Sequence, residues 1–434
     1  MKPKLTFFWL RRDLRLEDNT ALFHALSDEN PVQMIFIFDT DILERLGSRS
    51  DARVQFIHQE IADIKKQLRE READLMVKIG KPIEVWKELT NSFNIVKIYA
   101  NRDYEPYARQ RDKEIYQYMH SMGIPFIAKK DHVIFEKNEI TKTDGKPYTV
   151  YTPYSKLWKK KVDSSTYRFF ESETIFNYHR PQVEYHFPDL SEIGFKKSLI
   201  SIPSKKLNRS LITNYHNTRN FPGIKGTTRL GIHLRFGTLS IRTLASNVTA
   251  INSKYLNELI WRDFYSSILW HFPRVADQNF NSRYDNINWR SDEDDFRKWC
   301  QGKTGYPIVD AGIRELNASG YMHNRVRMVV ASFLTKHLLI HWSWGESYFA
   351  DKLLDFDLAS NNGGWQWAAG TGVDAAPYFR VFNPYLQAQK FDPDLVYIKK
   401  WIPEFGTSEY PVEMIDHKKA RERALNIYKA GLVA

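Results

Sequence analysis

The chain has 434 residues, 63 lysines and arginines against 52 aspartates and glutamates, and a formal charge of +11. That length holds two or three domain-sized units, and the basic balance fits a polyanionic partner as readily as it fits a generally basic surface. The single cysteine, Cys300, excludes an internal disulfide and any cysteine-rich metal site, and it fits a reducing compartment.

In chain order, Leu5 to Leu10 is a short apolar run of buried-strand type. It is too short to span a bilayer, runs straight into Arg11-Arg12 and has no small-residue cleavage site, so a soluble, cytoplasmic protein is expected. Asn19 to Leu26 reads as a helix with Asn19 as N-cap, and Val32 to Phe38 as a second strand. An amphipathic helix follows over 52–71, strands over 75–79 and 95–100, and a helix over 83–92. This alternation predicts an α/β domain over residues 1–130, with a parallel, Rossmann-like sheet covered by helices on both faces. No GxGxxG fingerprint is present, so the sheet does not argue for a nicotinamide site. Arg11-Arg12-Asp13-Leu14-Arg15 follows the first strand, where open α/β sheets place ligands. By itself the run reads more simply as a surface ion-pair cluster.

Residues 131–205 carry short polar and aromatic pieces without long periodicity and read as an extended connector between domains. Lys159-Lys160-Lys161 within it reads as a solvated charge run. From 206 to 434 the helical period dominates and predicts an all-α domain. Helices are expected at 207–218, 229–236, 240–251, 254–270, 293–299, 308–318, 322–341, 345–354 and 414–430. The stretch Asn361-Asn362-Gly363-Gly364-Trp365-Gln366-Trp367 breaks that pattern with amides, glycines and indoles, which together can hydrogen-bond and stack on a flat polar ligand.

Four constellations could carry chemistry. Gly226-Thr227-Thr228-Arg229-Leu230-Gly231 precedes a helix and could hold a phosphate with hydroxyls, an arginine and free N–H groups, although a ligand-free capped helix is the common alternative. Gly302-Lys303-Thr304 resembles the end of a phosphate loop, but Arg297 stands where the required glycine would be, and that reading fails. Glu258, Trp261, Arg262 and Tyr265 recur on one helical face, which suits either a buried ion pair packed by aromatics or a wet pocket that stacks a base. Asn324 and Met328 share a face four residues apart, where methionine is usually core filling. Asp355 and Asp357 have no histidine or cysteine beside them at ligand spacing. They read as partners for arginines such as Arg327, or for ribose hydroxyls, and no metal is expected.

Nearly the whole chain resembles the photolyase/cryptochrome family of flavoproteins, most closely the class I cyclobutane pyrimidine dimer photolyases. The resemblance is carried by Phe8-Trp9-Leu10-Arg11-Arg12-Asp13-Leu14-Arg15 and Thr304-Gly305-Tyr306-Pro307-Ile308-Val309-Asp310-Ala311. It is strongest at Asn324-Arg325-Val326-Arg327-Met328 and over 361–367. It implies non-covalent FAD folded inside the helical domain. Tyr215 and the run from Thr227 through Thr228, Arg229 and Leu230 to Gly231 would hold the pyrophosphate. Many relatives have serine at the positions of Thr228 and Gly231, so Gly231 would offer only backbone N–H. Tyr255, Glu258 and Arg262 would line the cavity, with Asp355 and Asp357 on its far wall. Asn361 would face the flavin's reactive nitrogen, where plant cryptochromes carry aspartate, which leans the chain towards repair.

By the same resemblance, Glu258, Trp261, Tyr265, Asn324, Met328 and Trp367 would meet the lesion. Glu258 would hydrogen-bond the dimer and stabilise its radical anion, and Trp261 and Trp367 would stack on extruded bases. The (6-4) photolyases have histidines where Asn324 and Met328 stand. Arg219, Arg325 and Lys390 would contact DNA phosphates. Trp365, Trp342 and Trp289 match the electron-hopping chain that photoreduces FAD. The implied reaction is light-driven repair of cyclobutane dimers by electron transfer from photoexcited reduced FAD, by a monomer acting on DNA. The alternatives are a blue-light receptor cryptochrome and a DASH-type photolyase without duplex repair. Against the first, only a charged, helix-like tail of about forty residues follows the motifs. Against the second stands Met328, where DASH proteins usually differ. A second, antenna chromophore often sits in the N-terminal domain of the family. Glu105-Pro106-Tyr107-Ala108 lacks the acidic and amide pair of folate-binding relatives. This disfavours methenyltetrahydrofolate and leaves deazaflavin, flavin or an empty pocket.

Overall fold

Lys4–Leu10 (β1) and Val32–Asp39 (β2) are runs of Phe, Ile, Leu, Met and Trp almost without polar alternation, the pattern of a strand buried on both faces. A computed structural model, describing residues 2–163 and 165–433, joins them to Leu75–Gly80 (β3), Asn94–Asn101 (β4) and Phe126–Lys129 (β5). The five strands form one parallel sheet in the order β3-β2-β1-β4-β5. Successive residues of β1 feed different cores. Phe8 and Leu10 pack on one face with Leu22, Ile61 and Leu75, and Phe7 and Trp9 on the other with Trp86, Ile98 and Ile115. Asn19 caps the helix Thr20–Leu26 as expected, its Oδ1 accepting from the Leu22 N–H at 3.1 Å.

The chain divides into two compact units, one of residues 1–136, 161–206 and 230–247, the other of 137–160, 207–229 and 248–434. Within the first, the strand order reverses between β1 and β4, and the arginines that follow β1 enter that region. They are not a surface cluster. The Arg15 side chain keeps 8% of its surface, and its Nη2 donates to Asp131 Oδ2 at 2.6 Å. Arg242 Nη2 lies 2.9 Å from both Asp131 and Asp18. Loops converging at the end of a doubly wound sheet exclude water, so cations there survive only when paired and hydrogen-bonded.

The second unit is helical. Its core gathers Val309, Ile313, Val326, Val330, Leu334, Trp342 and Trp365. Two expectations are corrected here. The helix expected over 322–341 is Asn324–Ser332 followed by a π-turn, Phe333–His337, and the chain then turns at Leu339 with φ 54°. The stretch over 361–367 does not break the helical pattern; it lies inside the helix Leu358–Ala369. Asp357 caps that helix, accepting from the Ser360 N–H at 3.1 Å, and Gly370 (φ 87°) ends it. Packing dictates its internal Gly363: a Cβ there would stand 2.2 Å from Cδ1 of Tyr265.

The helices Pro106–Ser121, Tyr151–Lys161, Pro384–Phe391 and Val396–Trp401 add to the expected set. Among the described residues no helix is long and apolar enough to cross a membrane.

Candidate active site

The helix Ser253–His271 supplies the central side chains. Asn252 caps it, its Oδ1 accepting from the Lys254 and Tyr255 N–H groups at 3.0 and 3.2 Å. Leu256, Leu259, Ile260 and Phe264 are buried, which leaves Glu258, Trp261, Arg262 and Tyr265 partly accessible along one side, as the spacing predicts. Arg219 Nη1 donates to Glu258 Oε1 at 2.5 Å. Glu258 keeps 32% of its side chain accessible, yet loss of hydration pushes its carboxyl above the ordinary range, with Arg219 opposing the rise. A group that is both reachable and desolvated lines a recess. Burial likewise pushes up the phenols of Tyr265 and Tyr321, neither of which is sealed from solvent.

On one wall of this recess stands a hydroxyl network. Thr228 Oγ1 and the Tyr255 hydroxyl are 2.8 Å apart, Thr227 Oγ1 and the Tyr321 hydroxyl 3.0 Å, and Tyr215 packs edge-on against Tyr255 at 5.0 Å. Arg229 adopts φ 54° and lays its guanidinium 4.3 Å from the Tyr321 ring centroid. Leu230 and Gly231 belong to the other unit, Leu230 being buried and Gly231 opening the helix Gly231–Arg235. The helical unit therefore holds three of the five residues of the expected run. The network continues through Arg327, 5.8 Å from the Tyr321 ring, whose Nη2 donates to both Asp355 oxygens at 3.0 Å. Asp355 is thus the partner of an arginine, as read from sequence, while Asp357 serves as the helix cap.

Asn361 is clamped. Its Nδ2 donates to Glu346 Oε1 at 2.8 Å and to the Glu346 carbonyl at 3.1 Å. Burial pushes the Glu346 carboxyl up to about 7, against the pull of that hydrogen bond. One turn beyond Asn361, a Cβ on Gly364 would meet nothing within 4 Å, so open space lies on the same helical side. A fixed amide next to open space, with hydroxyls and guanidinium groups on the walls, fits a flat, phosphate-bearing cofactor.

Trp365 and Trp342 are buried in one core, with 2% and 1% of their surface exposed. A Cβ on Gly345 would stand 2.1 Å from Trp365 Cη2, so this ring lies against the helix that Trp342 opens, one turn along. Trp342 Nε1 donates to Asn279 Oδ1 at 2.8 Å, whereas Trp365 Nε1 is buried without a partner. His341 sits between the other two, its ring 5.2 Å from Trp342 and 5.3 Å from Trp289. Trp289 packs in a separate small cluster with Tyr428.

The outer residues are less tightly tied. Asn324 is exposed, and Met328 accepts at Sδ from Arg325 Nη1 at 3.6 Å. Arg325 also donates to Asn220 Oδ1 at 2.8 Å and covers Phe391 at 4.3 Å. Lys390 is exposed beside Phe391, and Trp367 is half-buried, its carbonyl accepting from the Ala376 N–H at 3.2 Å.

Sequence reasoning missed three residues here. Tyr151 stacks on Trp261 with ring centroids 3.7 Å apart and planes 3° from parallel, its hydroxyl donating to the Asn257 carbonyl at 3.0 Å. Tyr321 and Glu346 are the others. All three act across long separations in sequence, for which a single chain carries no local signal.

Residues 6–172 match the family description "DNA photolyase" and residues 255–408 "FAD binding domain of DNA photolyase". The deoxyribodipyrimidine photo-lyase of Alkalihalophilus pseudofirmus is 34% identical, with 97% of each chain covered. A bacterial class III photolyase from Agrobacterium tumefaciens, solved by crystallography, superposes with a TM-score of 0.87 at 31% identity, over 100% of this chain and 99% of that one. An archaeal photolyase from Sulfolobus tokodaii, whose crystal structure holds two FAD molecules, gives a TM-score of 0.83 at 32% identity, over 98% of this chain and 100% of that one. With matches of this extent, the chain belongs to the photolyase/cryptochrome family and carries its FAD-binding domain.

Proposed function

We propose that this protein repairs cyclobutane pyrimidine dimers in DNA in a light-driven reaction, with FAD bound in the recess of the helical unit. The observation that carries the reading is Glu258, a desolvated but reachable carboxyl beside Trp261 and in contact with Arg219. When bound, reduced FAD supplies blue-light absorption and a returnable electron.

The protein's own residues bind and orient. Thr227, Thr228, Arg229, Tyr215 and Tyr255 would hold the pyrophosphate, and Arg262, Asp355 and Asp357 would complete the walls. Asn361 offers an uncharged amide, held in place by Glu346. Trp261 and Trp367 receive the extruded bases, whose removal from the stack is the entry requirement for any enzyme that works on them. Asn324, Met328 and Tyr265 flank them. Arg219, Arg325 and Lys390 engage phosphates.

Arg219 links the two tasks. While paired it opposes the upward push of burial on the Glu258 carboxyl; drawn away to a DNA phosphate, it leaves that push unopposed and favours the protonated form. A protonated Glu258 can then donate to a dimer carbonyl as negative charge develops there. Trp365, Trp342 and Trp289 would supply the route along which an oxidised flavin, when bound, could be reduced.

The test is incubation of dimer-bearing duplex with the purified flavoprotein in light and in darkness. Loss of dimers only in light is expected, reduced in Glu258→Ala and in Asn361→Asp with the fold retained. Wild-type yield in both variants would refute the assigned roles, and no light-dependent loss in the wild type would refute the activity.

A further inference from the structure

The helix Tyr151–Lys161 interrupts what reads in sequence as an extended connector, and its two sides differ. Tyr154 and Trp158 are buried, Trp158 Nε1 donating to Asp263 Oδ2 at 3.0 Å. The other side carries Lys156, Lys159 and Lys160, all exposed, and no acidic residue occurs anywhere in the helix. Lys156 and Lys160 are four residues apart and therefore point the same way. Lys159 Nζ is pinned to Asn257 Oδ1 at 2.7 Å, one residue before Glu258. Tyr151, at the start of the helix, stacks on Trp261 and donates to the Asn257 carbonyl. The lysine row is thus anchored at two points to the helix that bears Glu258 and Trp261. Among the described residues neither Lys156 nor Lys160 has an ion-pair partner, so both ammonium groups are available to an external anion.

We propose that the outer side of the helix Tyr151–Lys161 is a second phosphate-binding strip, in which Lys156 and Lys160 grip the DNA backbone beyond the nucleotides received at Trp261. Three observations favour a nucleic-acid backbone as the occupant. The row is purely cationic, the helix carries no acidic residue, and it is continuous with the Trp261 face through a ring stack. The strip rests on the reading of the Trp261 face as a DNA-binding surface, but it is read out independently of repair. A phosphate contact neutralised by lysine releases counterions whether or not the duplex is damaged, with a slope of about 0.9 in log K against log salt for each contact.

The experiment compares the wild-type flavoprotein with Lys156→Ala/Lys160→Ala and with a charge-matched control, Lys418→Ala/Lys419→Ala. The control lies on the helix His417–Val433, whose neighbours are the segments Phe333–His337 and Ser282–Tyr284. Binding of an undamaged duplex and of a dimer-bearing duplex is measured in darkness by fluorescence anisotropy, between ~50 and ~200 mM KCl, a range in which counterion release is readily resolved. The expected result is a slope shallower by about 1 to 2 for Lys156→Ala/Lys160→Ala on both duplexes, and a wild-type slope for the control. An unchanged slope in the test variant, or an equal loss in the control, overturns the strip. Absence of light-dependent dimer loss, by contrast, bears only on the activity and leaves the salt slope to decide the strip.

Discussion

Glu346 offers a test of the site that needs no substrate. Its carboxyl lies behind Asn361 with 9% of the residue exposed, and burial lifts it from the ordinary 4.5 to about 7. Between those two values the folded protein keeps a proton that the unfolded chain has released. Stability therefore falls as pH rises through that window, and the penalty is complete above about 7. At ~1.4 kcal/mol per pH unit the displacement amounts to about 3 kcal/mol. Glu346→Gln removes the titration and keeps an oxygen to accept from Asn361 Nδ2. At ~2 °C or more per kcal/mol for a unit of this size, the variant should melt at least about 6 °C above the wild type at pH 8.5 and close to it at pH 4.5. The assay is thermal melting of the purified flavoprotein across that range, followed by tryptophan fluorescence. A difference between variant and wild type that stays flat with pH would refute the claim that Glu346 titrates in this window.

Other outcomes follow from the same geometry. Asp131 accepts from both Arg15 and Arg242, so Asp131→Asn takes the carboxylate from the buried Arg15 and one of the two that hold Arg242, and should cost about 3–5 kcal/mol in urea titrations. Arg15 and Arg242 hold that carboxyl well below its ordinary 3.8, so its contribution is present above that value and is lost as pH falls below it. Gly345→Ala would drive a Cβ into Trp365, costing about 1–3 kcal/mol and slowing photoreduction of the cofactor measured by flash absorption; a wild-type rate would separate Trp365 from that pathway. Arg219→Ala removes the main influence lowering the Glu258 carboxyl. The alkaline limb of the pH–repair profile should move to higher pH while dark binding to DNA weakens.

Much of this protein was legible in local patterning. Unbroken apolar runs at β1 and β2, the Asn19 cap and the one-sided spacing of Glu258, Trp261, Arg262 and Tyr265 each depend on neighbours within a few residues, and each appears where the pattern puts it. The arginines after β1 read as surface charges because their partners, Asp112 for Arg11, Asp103 and Glu105 for Arg12 and Asp131 for Arg15, lie some ninety or more positions away and leave no local mark. The 361–367 stretch misled for a related reason. Its glycines lower helix propensity by about 1 kcal/mol each, yet at Gly363 Tyr265 occupies the space a side chain would need, so packing keeps both the helix and that glycine.

By itself, then, the sequence determined the kind of many of the longer elements, the Asn19 cap and the family, because periodicity and ordered motifs are properties of contiguous residues; the helices Pro106–Ser121 and Leu358–Ala369 carried no such signal. Only the tertiary structure decided what the polar groups of the site are. It put Arg219 on Glu258, Glu346 on Asn361 and Tyr151 on Trp261, and it divided the expected phosphate-binding run between two units. The physical reason is solvation. A glutamate beside a tryptophan on an amphipathic helix has the same sequence whether it faces water or a recess, and only the surrounding helices remove the water that would hold its carboxyl at an ordinary pKa.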